Sequence, residues 1–203
     1  MDVLEVTHLS CIRQHKTLFT DLNFTLNAGD ILLIEGENGS GKSSLLRLLT
    51  GLSTPQCGSI FWRRQSIQQL GTRYGQDLHY LSHQNGLKSE LTVKENLQLT
   101  AELHANALTA FEHTLALLQL NAYQNYFVHQ LSAGQKRRLA LAKLILFPKT
   151  LWILDEPLTS LDTATQQVFL SQLEAHRKKG GIAIISSHHP FLLNAHTLRL
   201  GSC

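Results

Sequence analysis

The sequence predicts an α/β protein with a mostly parallel core sheet and a helical segment inserted into it. Three continuous apolar runs, residues 31–34, 151–154 and 182–185, have the composition of strands that are buried on both faces. Helical patterns alternate with such runs in the last third of the chain, which is typical of a parallel sheet. The middle of the chain, residues 92–120, is helical in pattern and interrupts this alternation.

Each strand and helix is predicted from a local pattern in the sequence. Residues 4–7 and 22–27 alternate between apolar and polar side chains, as half-buried strands do, and residues 27–30 form a turn before the first buried run. Thr92 and Glu95 have the spacing of a helix capping box. Later apolar residues at helical spacing are expected to be core: Leu97, Phe111, Leu115 and Leu118. Two further helices are predicted over Lys136–Phe147 and Thr163–Lys179, ended by Pro148 and by Gly180-Gly181.

The composition excludes several classes of protein. Of the 203 residues, 43% are hydrophobic and 16% charged, which suffices for a globular core. The net charge of +3 comes from scattered basic residues, so no nucleic-acid surface is expected. The three cysteines have no paired spacing, which indicates free thiols in a reducing compartment. No stretch reaches the ~18 apolar residues that a membrane span needs, and we expect a cytoplasmic chain.

A phosphate-binding loop is the strongest local motif. Gly36-Glu37-Asn38-Gly39-Ser40-Gly41-Lys42-Ser43 fits the pattern G-x-x-x-x-G-K-[ST]. A buried strand precedes it, and the helical stretch Ser44–Thr50 follows, which disfavours the alternative of a glycine-rich turn that binds no anion. Backbone N–H groups would bind phosphate oxygens here, Lys42 would neutralise the β- and γ-phosphates, and Ser43 would ligate Mg²⁺. We expect residues 36–44 to bind nucleotide.

Two carboxylates follow the second buried strand. Asp155 and Glu156 stand where a parallel sheet presents its ligand-binding edge. Asp155 is expected to hold Mg²⁺ through water, and Glu156 to polarise the water that attacks the γ-phosphate. Taken alone, the pair would be better explained as a helix N-cap followed by a solvated glutamate.

A third motif points to a family. Leu131-Ser132-Ala133-Gly134-Gln135 opens a helical segment and resembles LSGGQ, the signature of ABC ATPases, with alanine at its third position. By itself it would be an ordinary helix N-cap. It lies some 20 residues before Asp155 and downstream of the phosphate loop, and the resemblance to the ABC ATPases covers essentially the whole chain.

The resemblance implies a fold and further site residues. The fold would be that of a P-loop ABC ATPase, with a mostly parallel core sheet, an N-terminal antiparallel β subdomain and an inserted helical subdomain. Residues 1–203 would form a single nucleotide-binding domain, with the helical subdomain at roughly 85–145. Four residues match the family's remaining positions: Gln84 of the Q-loop, a magnesium contact; Asp162 of the D-loop; His188 as the switch histidine; and Arg13, where an aromatic residue usually stacks on adenine.

Two of these assignments have alternatives. His189 is adjacent to His188, so the pair could bind a metal, although neighbouring residues at a strand end point in opposite directions. Arg13 has His15 nearby, and its guanidinium could stack on a base. Without an aromatic residue at this position, the sequence leaves the preference for ATP over GTP open.

The resemblance also implies a mechanism and partners. Two copies would form a homodimer around two ATP molecules, with Lys42, Asp155 and Glu156 from one copy and Ser132–Gln135 from the other. Within the family, the chain is most similar to ATPases of haem export and cytochrome c maturation, on stretches that include residues 83–88 and 130–135. That similarity implies multi-span membrane subunits of the CcmB and CcmC type. The chain would then be peripheral, on the cytoplasmic side of a bacterial inner membrane.

Other classes fit less well. Translation factors of this family usually carry two cassettes in one chain, and chromosome ATPases insert a long coiled coil for which residues 44–131 leave no room. A P-loop kinase of small metabolites would have no use for the signature. An ABC ATPase that works without a membrane partner, in the assembly of a cofactor or protein complex, remains the alternative.

Overall fold

The computed structural model describes residues 3–13, 16–104, 111–187 and 195–201. The chain divides into two compact units: a sheet unit of residues 1–80, 149–157 and 175–203, and a helical unit of residues 81–148 and 158–174. The strands are β1 Val3–Arg13, β2 Lys16–Asn27, β3 Ile31–Glu35, β4 Cys57–Trp62, β5 Gln65–Ser66, β6 Leu78–Leu81, β7 Leu151–Asp155, β8 Ile182–Ser186 and β9 His196–Arg199. The helices are α1 Lys42–Leu49, α2 Ile67–Leu70, α3 Thr72–Asp77, α4 Val93–His104, α5 Phe111–Leu117, α6 Ala133–Leu146 and α7 Thr163–Lys178.

The sheet unit contains two sheets. Four strands pair antiparallel in the order β2-β1-β4-β5, and five strands form the second sheet in the order β6-β7-β8-β3-β9. Strand β3 runs parallel to both β8 and β9, and β7 runs parallel to β8. The predicted α/β class, with its antiparallel part and its parallel sheet, is confirmed.

The core of the sheet unit explains why the three apolar runs are strands. Strands β7 and β8 are buried at every residue, since helices or other strands cover both faces of a parallel sheet. Helix α1 supplies four buried leucines to the same core, at positions 45, 46, 48 and 49. Trp62 is almost fully buried, and its indole Nε1 donates to Asp77 Oδ2 over 2.9 Å.

The helical unit is built around α6. The predicted capping box is confirmed at the start of α4: Thr92 N donates to Glu95 Oε2 (2.7 Å), and Glu95 N donates to Thr92 Oγ1 (3.2 Å). The four apolar residues predicted to be core, Leu97, Phe111, Leu115 and Leu118, are buried. Asn96 is also buried and organises the preceding loop, since its amide bonds Lys88 N, Lys88 O and Thr92 O.

The structure departs from the sequence prediction at several elements. Helix α6 begins at Ala133, three residues before the predicted start, because Ser132 caps it. Strand β9 was not predicted, since its four residues are mostly exposed and carry no clear alternation. The short helices α2 and α3 were also missed. Within the described residues, no helix is both long and apolar enough to cross a membrane.

Candidate nucleotide-binding site

The loop between β3 and α1 requires glycine at two positions. A Cβ atom on Gly36 would lie 2.5 Å from Leu200 O and 2.5 Å from Ser40 Oγ. Gly41 has a φ of 101° and would bring a Cβ atom to 3.1 Å from Leu18 Cβ. Both positions therefore need glycine for the loop to close as it does, because a side chain would meet either a backbone oxygen or a packed neighbour.

Lys42 is held inside this loop. It is only 6% exposed, and its Nζ donates to the carbonyl oxygens of Gly36 (2.7 Å) and Glu37 (3.0 Å). Ser43, the next residue, is exposed. The buried Oγ of Ser40 has no hydrogen-bond partner among the described residues. A confined cation, an unpaired hydroxyl and the N-terminus of α1 together make a site that fits phosphate oxygens.

Asp155 lies at the same edge of the parallel sheet as this loop. The registers place Asp155 of β7 opposite Ser186 of β8, and Ser186 opposite Ile34 of β3. Adjacent strands lie about 4.8 Å apart, so Asp155 is about 10 Å from the residue that leads into the loop. Asp155 is 5% exposed, and its Oδ1 accepts from Ser186 Oγ over 2.6 Å. The alternative that Asp155 caps a helix is wrong, because it ends a strand.

Glu156 has a constrained backbone. Its φ is 47°, in the left-handed region, where a residue with a Cβ atom is strained by roughly 1–2 kcal/mol. Its N–H donates to Ser186 Oγ over 3.0 Å, and the side chain is half-buried. The hydroxyl of Ser186 thus fixes both carboxylate-bearing residues, and strain of this kind is common at functional sites.

Tyr80 is a site neighbour that the sequence reasoning missed. It lies on β6, the strand beside β7, and is half-buried. Burial raises the pKa of its hydroxyl, the charge of Asp155 raises it further, and Arg47 opposes the shift. A neutral hydroxyl therefore stands near the Asp155 carboxylate. No signal in the sequence distinguishes this tyrosine from an ordinary strand aromatic.

The signature segment begins α6 in the helical unit. Ser132 and Gln135 form a second capping box: Gln135 N donates to Ser132 Oγ (3.2 Å), and Ser132 N donates to Gln135 Oε1 (2.8 Å). A Cβ atom on Gly134 would lie 2.7 Å from Ser160 O. The predicted signature and the predicted D-loop are therefore packed directly against each other, and glycine allows that approach.

The loop that contains Gln84 is also hydrogen-bonded to α6. Gln84 is exposed at a tight turn, in which Asn85 and Gly86 have φ values of 60° and 59°. Arg137 of α6 is 4% exposed, and its Nη1 donates to Ser82 O (3.0 Å) and Asn85 Oδ1 (2.7 Å). One guanidinium thus holds both sides of the turn.

Of the remaining predicted site residues, the structure describes Asp162 and Arg13. Asp162 caps α7, since its Oδ1 accepts from Thr165 N over 2.8 Å, and this bond holds the pKa of the carboxyl below its usual range. Arg13 is exposed at the end of β1. His188, His189 and His15 lie outside the described residues.

The donor groups of the sheet unit fit a magnesium ion. Ser43 offers a hydroxyl and Asp155 a carboxylate, both oxygen ligands of the kind that Mg²⁺ prefers, and Mg²⁺ commonly uses only one or two carboxylates. Across the residues that the structure describes, no group of three or more His, Cys, Asp or Glu side chains could hold a metal.

The chain is similar to ABC transporter proteins along most of its length. Residues 19–159 match the ABC transporter family. The chain is 45% identical over 191 residues to the cytochrome c biogenesis ATP-binding export protein CcmA of Escherichia coli O157:H7, covering 94% of this chain and 91% of that protein. It is 43% identical over 199 residues to CcmA of Vibrio cholerae, covering 97% and 96%.

Solved structures have the same fold. The ATP-binding subunit of an ABC transporter superimposes with a TM-score of 0.83 at 26% identity, over 92% of this chain and 79% of that one. An ABC transporter ATP-binding protein from Pyrococcus furiosus gives 0.83 at 22% identity, over 98% and 97%. A dimeric ATP-binding cassette in a post-hydrolysis state with ADP and Pi gives 0.78 at 21% identity, over 92% and 88%.

Proposed function

Because this chain belongs to the ABC transporter family, in which it is an ATP-hydrolysing subunit, we propose that it powers a membrane exporter of cytochrome c maturation that handles haem. The observation that carries the proposal is the shared sheet edge, where the phosphate loop after β3 and Asp155 of β7 are joined through Ser186 of β8. The 43–45% identity to cytochrome c biogenesis export proteins supports the choice of pathway.

Phosphate binding would rest on the loop itself. Residues 36–44 would direct backbone N–H groups at the phosphates of ATP, and the N-terminus of α1 adds partial positive charge. Lys42 donates to two loop carbonyls, Gly36 O and Glu37 O, from a position inside the loop. We propose that it exchanges these carbonyls for β- and γ-phosphate oxygens. Arg13 would contact the base.

Hydrolysis would use the residues at the end of β7. Ser43, Asp155 and Gln84 would hold Mg²⁺, which when bound neutralises charge that develops on the γ-phosphate. Glu156 would accept a proton from the attacking water. The oxygen of that water would bond to the γ-phosphorus while the bond between the γ-phosphorus and the β-phosphate oxygen breaks. Ser186 keeps both acidic residues in place. His188 would contact the γ-phosphate.

The signature would act on a second copy of the chain. The Ser132 hydroxyl accepts the Gln135 N–H, and this capping bond leaves the hydroxyl hydrogen available to donate. We propose that Ser132, with residues 133–135, donates to the γ-phosphate held by the other copy in an ATP-dependent homodimer. Asp162, next to this segment, would cross the dimer interface. Residues 1–203 would then act as one nucleotide-binding domain, with residues 85–145 as its helical subdomain.

The cargo and partners follow from the relatives. The complex would export haem, or release a haem-loaded chaperone, on the far side of the bacterial inner membrane. The chain would sit peripherally on the cytoplasmic side, bound to multi-span subunits of the CcmB and CcmC type through the Gln84 loop.

Capture from native membranes tests this proposal. A tagged Glu156→Gln chain should bind ATP without hydrolysing it and should retain its partners in mild detergent, to be identified by mass spectrometry and haem absorbance. Recovery of small multi-span subunits with a haem-bearing chaperone would support the full proposal. Recovery of a different permease would remove haem and keep the transporter. A chain that stays alone would favour an ABC ATPase without a membrane partner.

A further inference from the structure

Two segments with predicted roles at the ATP sites, the Gln84 loop and the signature, are both held by helix α6 of the helical unit. The signature forms the first turn of α6, and Arg137 follows on the second turn of the same helix. Arg137 is almost fully buried, and its guanidinium bonds Ser82 O on one side of Gln84 and Asn85 Oδ1 on the other. Further along α6, Lys143 Nζ donates to Gly86 O over 3.3 Å.

These hydrogen bonds fix the Gln84 loop to helix α6. Hydrogen bonds from a charged, buried donor are among the stronger ones, because an acceptor that lost its partner there would be desolvated and unpaired. Burial also lowers the pKa of Lys143, with the charge of Lys88 adding to the shift. A displacement of the Gln84 turn would therefore carry α6 with it.

We propose that Arg137 is a positioning residue that couples the two ATP sites of the dimer. The proposal rests on the proposed function, in which Gln84 serves the site of its own chain and Ser132 serves the site of the partner copy. Binding of ATP in one site sets the Gln84 turn, Arg137 transmits that position to α6, and α6 presents Ser132 to the other site. The coupling residue touches neither nucleotide.

Asn85 offers a matched pair of variants. Asn85→Gly keeps the left-handed backbone (φ 60°) and removes one acceptor of Arg137, the Oδ1 atom of Asn85. Asn85→Asp keeps an acceptor oxygen at the same place, and aspartate also tolerates this backbone region. Arg137→Gln removes the guanidinium itself. Lys94→Gln, at an exposed position on α4, is the control for loss of one positive charge in the same unit.

The test is the ATP dependence of hydrolysis by the full chain with Glu156 intact, measured alone and in the membrane complex captured through that chain. Two coupled sites should give the wild type a Hill coefficient above about 1.5, with 2 as its upper limit. Arg137→Gln and Asn85→Gly should bring the coefficient to about 1 and lower kcat by about 10-fold, with nucleotide affinity unchanged. Asn85→Asp and Lys94→Gln should behave as the wild type.

Two outcomes would overturn the proposal: a wild type without cooperativity, or Asn85→Gly and Arg137→Gln variants that keep the wild-type coefficient. Because Asn85→Gly leaves Arg137 in place, it answers the question even where Arg137→Gln fails to fold. A wild-type chain that does not hydrolyse ATP at all would instead contradict the proposed function.

Discussion

The two units of this protein hold their predicted functional residues in opposite ways. In the sheet unit, Lys42 and Asp155 are about 95% buried and bonded to loop carbonyls or to a neighbouring strand. In the helical unit, Gln84, Ser132 and Asp162 are exposed and are held by a tight turn or by helix caps.

The difference matches the chemistry that each unit would perform. Binding of phosphates and of a metal ion requires charged groups in fixed positions. The buried residues at the edge of the parallel sheet are held in such positions. A surface that acts on a second copy, or on a membrane partner, must be exposed. Changes in the sheet unit should therefore abolish nucleotide chemistry, whereas changes in the helical unit should spare nucleotide binding and impair hydrolysis.

The largest effect is expected from Lys42→Ala. Removing the cation inside the phosphate loop should lower ATP hydrolysis by at least about 100-fold and weaken nucleotide binding as well. Steady-state hydrolysis and titration with a fluorescent ATP analogue measure the two quantities. Lys94→Ala, on the exposed face of α4, is the control and should leave both unchanged. Hydrolysis by Lys42→Ala within about threefold of the wild type would end the assignment of this loop.

Gly134→Ala should separate the two units functionally. The new Cβ atom would stand 2.7 Å from Ser160 O, a backbone atom, so the signature and the D-loop must move apart. A displacement of this size should lower kcat on the order of 10-fold, with the affinity for ATP unchanged. Gly75→Ala, where no atom lies within 4 Å of the added Cβ, is the matched control. If Gly134→Ala weakened ATP binding as much as Lys42→Ala, the contrast between the units would be lost.

Ser186→Ala tests whether Ser186 positions Asp155 and Glu156 at the edge of the parallel sheet. The change removes the donor to Asp155 Oδ1 and the acceptor of Glu156 N, both in a buried place. We expect unfolding to become easier by about 1–3 kcal/mol and the Mg²⁺ concentration for half-maximal hydrolysis to rise several-fold. Denaturant titration and magnesium titration report the two effects. Ser186→Thr, which keeps the hydroxyl, should restore magnesium dependence. An unchanged magnesium response would mean that Ser186 only stabilises the sheet.

The smallest effect concerns pH and belongs to the sheet unit. His176 stacks on Trp152 with ring centroids 4.0 Å apart, and burial lowers its pKa below the usual value. The folded state thus disfavours the protonated ring, so this contribution to stability is complete above pH ~6.5 and is lost as the pH falls below that value.

His176→Phe keeps a ring on Trp152 and removes the titration. The loss of Tm between pH 7.5 and 5.5 should shrink by about 2 °C in this variant. His113→Phe, at an exposed position on α5, is the control for the substitution and should leave the loss as in the wild type. A loss that persists in full in His176→Phe would place the acid sensitivity elsewhere.

Features that depend on neighbours along the chain could be predicted from the amino-acid sequence. The phosphate loop is recognised by the spacing of its glycines and Lys42. The strands β3, β7 and β8 are recognised by their runs of apolar side chains. The capping box at Thr92 follows from residues three positions apart. Each of these is a short-range requirement of backbone geometry or solvation, so one sequence suffices to predict it.

Which distant residues share a site depends instead on how the strands and helices pack. Ser186 joins Asp155 across 31 positions of the chain, and Arg137 reaches Ser82 across 55. Tyr80 and strand β9 likewise owe their places to the order of strands in the sheet. The residues next to a serine, an arginine or a tyrosine in the sequence do not show which distant residue it contacts. That contact depends on how whole strands and helices pack. Sheet order and helix packing are long-range outcomes, which is why these contacts could not be read from spacing.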